Sequence, residues 1–298
     1  MFLDPELHPV RSCYGCLDLA PHEFISASHI NVMCQSKICL GELSNLDHED
    51  VLQGPLRDCW LIAAISSICK KDPETVKKSI VHSNYQAGAT LVQIGNFFTW
   101  VDHYIPVVCD SLGRISKVLA PKPSSEGEYW PIVLHKAFIK YLFCHFSPME
   151  FRHMSYRKRI SRGIPLCFPH YIDICGGFPR WALGAFYQCT PDLIEIRPTA
   201  EHVEMCRDVL KDTDQFITVA CLGTSLEKTD ENTEDGFVYG HAYSHISVTD
   251  DKFRVRNPWG TFENTRYDDG QNDGSFWVDH EQFGEKFKSM CVVKIKSR

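Results

Sequence analysis

From Trp60 to Ile65 the chain is apolar at every position, and the run reaches Ile68 before Lys70, Lys71 and Asp72-Pro73 end it. This pattern predicts a helix buried on most sides. It begins at Cys59 with Asp58 as N-cap and closes on basic residues that suit the negative end of a helix dipole. Further on, Leu91–Ile94 and Phe97–Val101 flank Gly95-Asn96, the signature of a tight hairpin. Behind Pro131 the apolar positions Trp130, Val133, Leu134, Ala137, Phe138 and Tyr141 recur at helical spacing. They predict a helix with a core stripe in which nothing suggests a cofactor. From His170 onward the pattern turns towards strands, with a short apolar run at Phe216–Cys221 and alternation through Gly240–Val248. A polar turn at Asp250-Asp251-Lys252 leads into Phe253–Gly260, so the last two runs are predicted as adjacent antiparallel strands whose register stays open.

The totals narrow the function. At 298 residues there is room for one large domain or two moderate ones. A formal charge of −7 argues against a nucleic-acid partner or an anionic membrane surface. The opening Met1-Phe2-Leu3-Asp4-Pro5-Glu6 is acidic where a signal peptide would be basic, and no apolar run approaches the ~20 residues of a membrane span. A soluble, cytoplasmic protein with reduced cysteines and no membrane insertion is expected.

Candidate chemistry starts at Cys59. A thiol in the first turn of a helix faces unpaired N–H groups and the positive end of the dipole, which favour the thiolate. The chain holds 14 cysteines, and most cysteines are small buried hydrophobes, so Cys59 needs partners to stand out. A nucleophilic thiol requires a general base, a group that orients the base, and donors for the oxyanion. On the two predicted strands, His241 and Asn257 would approach one another across the pair.

Gln53-Gly54-Pro55-Leu56-Arg57-Asp58-Cys59-Trp60, Gly240-His241-Ala242-Tyr243-Ser244-His245 and Arg256-Asn257-Pro258-Trp259-Gly260 closely resemble the catalytic signatures of the calpain family of papain-like cysteine proteases. Trp100-Val101-Asp102 through Pro106, Glu128-Tyr129-Trp130, Asp173 to Gly177, and Asp273-Gly274-Ser275-Phe276-Trp277 follow in the family's order, over roughly residues 45 to 298. The resemblance implies Cys59 as nucleophile, His241 as base and then acid, and Asn257 as the residue that holds the imidazole. Gln53 would be the side-chain oxyanion donor beside the Cys59 N–H. Trp259 would cover the His–Asn bond, with Gly240 in support. It also implies two calcium ions, the first at Asp50 and Glu128, the second at Glu263, Asp269 and Asp273. Ser275 stands where the second site usually has an acid, which favours the first. Arg57 is a further departure, since that position is usually glycine and glycine allows φ above zero.

The remaining segments are read more coarsely. Residues 1–44 carry Cys13, Cys16, Cys34 and Cys39, spaced for a small zinc site or packed as reduced thiols. Residues 45–150 form the first protease subdomain with the nucleophile helix. Residues 151–169, around Arg152, Arg157, Lys158, Arg159 and Arg162, form a basic connection whose charges are expected to be solvated. Residues 170–298 form a β-rich second subdomain carrying His241 and Asn257. The acidic stretch Ser225–Asp235 is either solvated loop charge or a gate beside the cleft. The expected fold is α+β and papain-like, two subdomains with an active-site cleft between them. The expected function is intracellular endoproteolysis of protein substrates. A catalytically impaired calpain-like scaffold and an acyl transferase of related fold are the alternatives. The chain as read ends at Arg298, without the calmodulin-like domain of longer relatives, so the protease core alone is expected.

Overall fold

The computed structural model describes residues 23–26, 43, 46–109, 111–112, 114–122, 128–145, 149–162, 169–211, 216–222, 236–263 and 270–295. Its strands are β1 (Glu23–Ser26), β2 (Ile80–Asn84), β3 (Ala89–Ile94), β4 (Phe97–Asp102), β5 (Tyr104–Cys109), β6 (Ile115–Val118), β7 (Asp192–Glu195), β8 (Phe216–Leu222), β9 (Ala242–Val248), β10 (Lys252–Arg256), β11 (Ser275–Asp279) and β12 (Phe287–Lys294). Its helices are α1 (Cys59–Lys71), α2 (Pro73–Ser79), α3 (Trp130–Cys144), α4 (Met149–Ser161), α5 (Pro179–Tyr187), α6 (Ala200–Lys211) and α7 (His280–Lys286). They group into two compact units. One holds Asp50–Asp58 and Glu74–Gly177 with β1, the other Asp47–Glu49, Cys59–Pro73 and Phe178–Arg298.

The first unit carries two antiparallel three-stranded sheets, β1-β5-β6 and β2-β3-β4. The expected hairpin is present, with Ile94 paired to Phe97 across a turn in which Gly95 has φ 57°. Helix α3 packs on β3 and β4, and burial runs almost all the way round it, so its polar residues need partners. Lys136 is one of these, and its ammonium is ion-paired with Asp102 and donates to Asp102 O at 2.9 Å and Tyr104 O at 3.1 Å. Lys140 donates to Trp100 O at 2.9 Å.

The basic segment differs from its expectation. Most of it is helix α4, and Arg159 is only 2% exposed, with Nε donating to Asp173 Oδ1 at 2.9 Å and a second nitrogen on Oδ2. Lys158 is bonded to the Cys175 carbonyl, while Arg157 and Arg162 are exposed. The run is thus half solvated face and half anchor for the Tyr171–Ile174 turn, because a bidentate guanidinium can satisfy a buried carboxylate. The first unit also runs on to Gly177, past the connection expected at 151–169.

The second unit is built on a six-stranded antiparallel sheet in the order β11-β10-β9-β8-β12-β7. One face, with Leu222, Tyr243, Phe253, Phe276 and Met290, closes a core with Leu210 of α6 and Phe283 of α7. Alternation along the strands turns Val219 and Ser244 the other way. On that side Ser244 Oγ donates to Ala63 O at 3.0 Å, in the middle of α1. Helix α1 was expected with the first subdomain, yet its packing partners are β8, β9 and α5, all in the second unit. Its all-round apolar surface explains this, since Trp60 through Ile65 are buried and Trp60 meets Trp181 of α5 edge to face at 5.7 Å.

Candidate active site

Within the second unit, Cys59 opens α1 and His241 stands just before β9, the strand whose Ser244 bonds Ala63 O of α1. Gly240 has φ 65°, a backbone conformation in which a side chain would be strained, and it turns the chain into His241. The carbonyl of His241 accepts from Leu222 N at 2.9 Å, which ties it to β8. Asn257 follows β10, and its backbone N–H donates to Gly274 O at 2.8 Å.

The two side chains meet, with His241 Nε2 and Asn257 Oδ1 3.0 Å apart. The orientation of the amide is fixed on both sides. Oδ1 also accepts from Trp259 N at 3.1 Å, and Nδ2 donates to Phe262 O at 3.1 Å. An oxygen facing the ring makes Nε2 the protonated nitrogen, so Nδ1 keeps the basic lone pair. Trp259 lies 5.0 Å from the imidazole and Tyr243 meets it edge-on at 5.1 Å, so His241 is 3% exposed. Burial holds the imidazole down to about 4, opposed by the Asn257 bond. Such a ring is a neutral base at rest, and a thiolate formed beside it would stabilise its protonated form. Burial also raises Tyr243 and Cys221, and the Cys59 charge adds to both, which places the thiol in the electrostatic neighbourhood of β8 and β9.

Gln53 belongs to the first unit. Leu52 pairs with Lys122, and Gly54 lies so close to Ala120 that a Cβ there would be 2.1 Å from its carbonyl oxygen. Gln53 is 5% exposed, and its Oε1 has no hydrogen-bond partner among the described residues. Arg57 adopts φ 56°, so the left-handed turn that a glycine would make easily is made by arginine. Asp58 differs from its expected capping role, because Oδ2 faces His135 Nε2 at 2.8 Å and Oδ1 has no hydrogen-bond partner among the described residues.

The expected metal ligands fare unevenly. Cys13, Cys16, Cys34 and Cys39 lie outside the described residues, as do Asp269 and the Ser225–Asp235 loop. Glu263 Oε1 accepts from Gly274 N at 2.7 Å and Asp273 Oδ1 from Ser275 N at 2.6 Å, so these two carboxylates converge on one turn. Both are hard oxygen donors of the kind calcium takes. Among the described residues a three-ligand group is found at Asp47, His48 and Glu49, and Asp50 and Glu128 are not part of it. Two further contributors had no mark in the hydrophobic pattern. Gly274 (φ 85°) leaves a Cβ position 2.7 Å from Asn257 O, and buried Arg256 donates to His48 O, Glu49 O and Asp273 O at 3.2, 3.0 and 3.2 Å.

Residues 29–272 match the calpain family cysteine protease domain, and the chain belongs to that family. Its fold is accordingly the α+β, papain-like one. The calpain-2 catalytic subunit of Macaca fascicularis is 24% identical over 334 residues, covering 99% of this chain and 43% of its own length. That of Gallus gallus is 27% identical over 332 residues with the same coverage. Human calpain-8 is 24% identical over 335 residues, covering 99% of this chain and 42% of its own. The chain therefore spans under half the length of these relatives. No helix among the described residues is long and apolar enough to cross a membrane.

Proposed function

We propose that this chain is a cysteine endopeptidase acting on protein substrates, with Cys59, His241 and Asn257 as its catalytic residues. The observation that carries the reading is the 3.0 Å His241–Asn257 bond, which leaves Nδ1 basic in the same unit as a cysteine at a helix start. In this mechanism Nδ1 takes the Cys59 proton and the thiolate attacks the scissile carbonyl. The negative charge that develops on the carbonyl oxygen is held by the Cys59 N–H and the Gln53 side-chain amide. The His241 imidazolium then protonates the leaving amine, and an amine and a thioester result. Water, deprotonated by His241, attacks the thioester, releases the acid and restores the thiol. Asn257 keeps the ring in one tautomer and Trp259 shields the pair from water.

Calcium is the cofactor that the family resemblance implies. Glu263 and Asp273 would hold one ion together with Asp269, and Asp50 and Glu128 would contribute to another. Bound calcium would supply alignment, not chemistry. The test is cleavage of an unfolded protein by the wild-type chain and by Cys59→Ala, each with calcium and with a chelator. Loss of cleavage in Cys59→Ala supports the peptidase, and equal residual cleavage in both chains refutes it. Loss on chelation in the wild type supports calcium dependence, and chelator-insensitive cleavage removes it.

A further inference from the structure

The turn before the nucleophile is strained and must be held. Arg57 sits at φ 56°, a conformation costly for a side chain that bears a Cβ, and such residues persist only where their surroundings over-determine them. Two anchors are present in the first unit. Arg57 O accepts from Gly176 N at 2.8 Å, and Asp58 Oδ2 meets His135 Nε2 at 2.8 Å. The second anchor is unusual. Asp58 and His135 are both 0% exposed, and Asp58 Oδ1 and His135 Nδ1 have no hydrogen-bond partner among the described residues, so this is a buried polar link that leaves one polar atom of each residue unanswered there. Burying such atoms is unfavourable, which asks for a reason beyond packing.

Other acids and bases of the elements around His135 are engaged elsewhere. Asp102 of β4 pairs with Lys136, Asp173 of the turn at Tyr171–Ile174 pairs with Arg159, and Lys140 bonds a carbonyl. Tyr171 stacks at a tilt 6.0 Å from the His135 ring. The Asp58–His135 link therefore stands apart from the Lys136–Asp102 and Arg159–Asp173 ion pairs, and it holds the residue whose carbonyl carbon is bonded to the nitrogen of Cys59. The peptide plane that contains the Cys59 N–H includes the Cα and carbonyl of Asp58.

We propose that His135 is a positioning residue: by holding the Asp58 side chain it fixes the peptide that carries the Cys59 N–H, and so aims that donor at the substrate oxyanion. This rests on the peptidase reading above. It differs from a purely structural role in what it moves. An oxyanion donor acts on acyl attack and not on simple alkylation of the thiol, which develops no oxyanion.

The experiment compares wild type, His135→Leu, His135→Gln and the double variant Asp58→Asn/His135→Leu, with dye-labelled casein as substrate and iodoacetamide labelling of Cys59 read by peptide mass spectrometry. In His135→Leu, kcat should fall about 10- to 100-fold with KM within about threefold, while the labelling rate stays within about twofold. His135→Gln, which restores an N–H donor, should recover most of kcat. Should His135→Leu fail to fold because Asp58 is left buried and unpaired, the double variant cuts the link without leaving a charge, and the same split is expected of it. Unchanged kcat, or a labelling rate that falls along with kcat, would overturn the proposal. Absence of Cys59-dependent cleavage in the wild type would sink the peptidase reading first, a result visible before any variant is compared.

Discussion

Gly274→Ala is the substitution whose consequence can be worked furthest from the structure. Gly274 has φ 85°, and an ideal Cβ on it would be 2.7 Å from Asn257 O and 3.0 Å from Gly260 Cα. Both are backbone atoms, so neither can swing aside as a long side chain would. Restoring ordinary contact at 3.4 Å or beyond requires a backbone shift of about 0.7 Å, in addition to the ~1–2 kcal/mol of a left-handed residue that bears a Cβ. The atom pushed belongs to Asn257, whose Oδ1 is 3.0 Å from His241 Nε2. A displacement of that size along the bond takes it out of hydrogen-bond range. The expected result is kcat lower by about 10- to 100-fold, in keeping with the cost of misplacing a catalytic group by a fraction of an ångström to 1 Å. Stability should fall by about 2 kcal/mol. The assay is casein cleavage at saturating substrate beside urea unfolding at pH 7. If the variant is destabilised but turns over at the wild-type rate, Gly274 serves the fold and not the placement of Asn257, and the reasoning is wrong.

Three further outcomes follow from single features. Arg256→Met leaves His48 O, Glu49 O and Asp273 O without the buried guanidinium and should cost about 3 kcal/mol in urea unfolding; a loss below about 1 kcal/mol would show that the carbonyls find other donors. Burial holds His241 down to about 4, and burial with neighbouring cations does the same for His48 and His103, so the unfolded chain binds these protons first. Stability is then intact above about pH 6.5 and falls as the pH drops towards 4, by up to ~1.4 kcal/mol per pH unit for each histidine; urea midpoints that do not decline from pH 7 to 5 would contradict this. Arg57→Gly removes the strain at φ 56° and should raise stability by about 1 kcal/mol after the greater chain entropy of glycine is counted, whereas a loss of stability would mean that the arginine side chain holds more than its backbone costs.

The helix starting at Cys59 was legible from an unbroken apolar run closed by basic residues, and the hairpin through Gly95 and the helix behind Pro131 from a turn signal and a helical stripe that survive in the sequence. The His241–Asn257 approach was legible because two alternating runs joined by a short polar turn have few ways to pair. Its register was not, since β9 and β10 slip between Arg254 and Val255 at an irregularity that no pattern announces. The basic segment was misread for a related reason. Charge is written in the sequence, but the partner that decides burial, Asp173 for Arg159, lies 14 residues away around a turn.

His135 shows where sequence reading stops. It sits between positions of the predicted stripe on α3, where a histidine reads as one more buried ring. Asp58 looks like a cap, because an acid before a helix usually is one. Only the fold joins them, by bringing α3 to the residue before Cys59 and leaving each with a polar atom unanswered among the described residues. Local rules assign a residue its commonest partner, and they fail where a distant partner takes it. Arg57 and Asp58 are both such places, and they are the two residues next to Cys59. A backbone that departs from local preference at Arg57 and a side chain that departs from it at Asp58 are held by a glycine N–H and a histidine ring, and on the proposal above they are held for the residue that comes next.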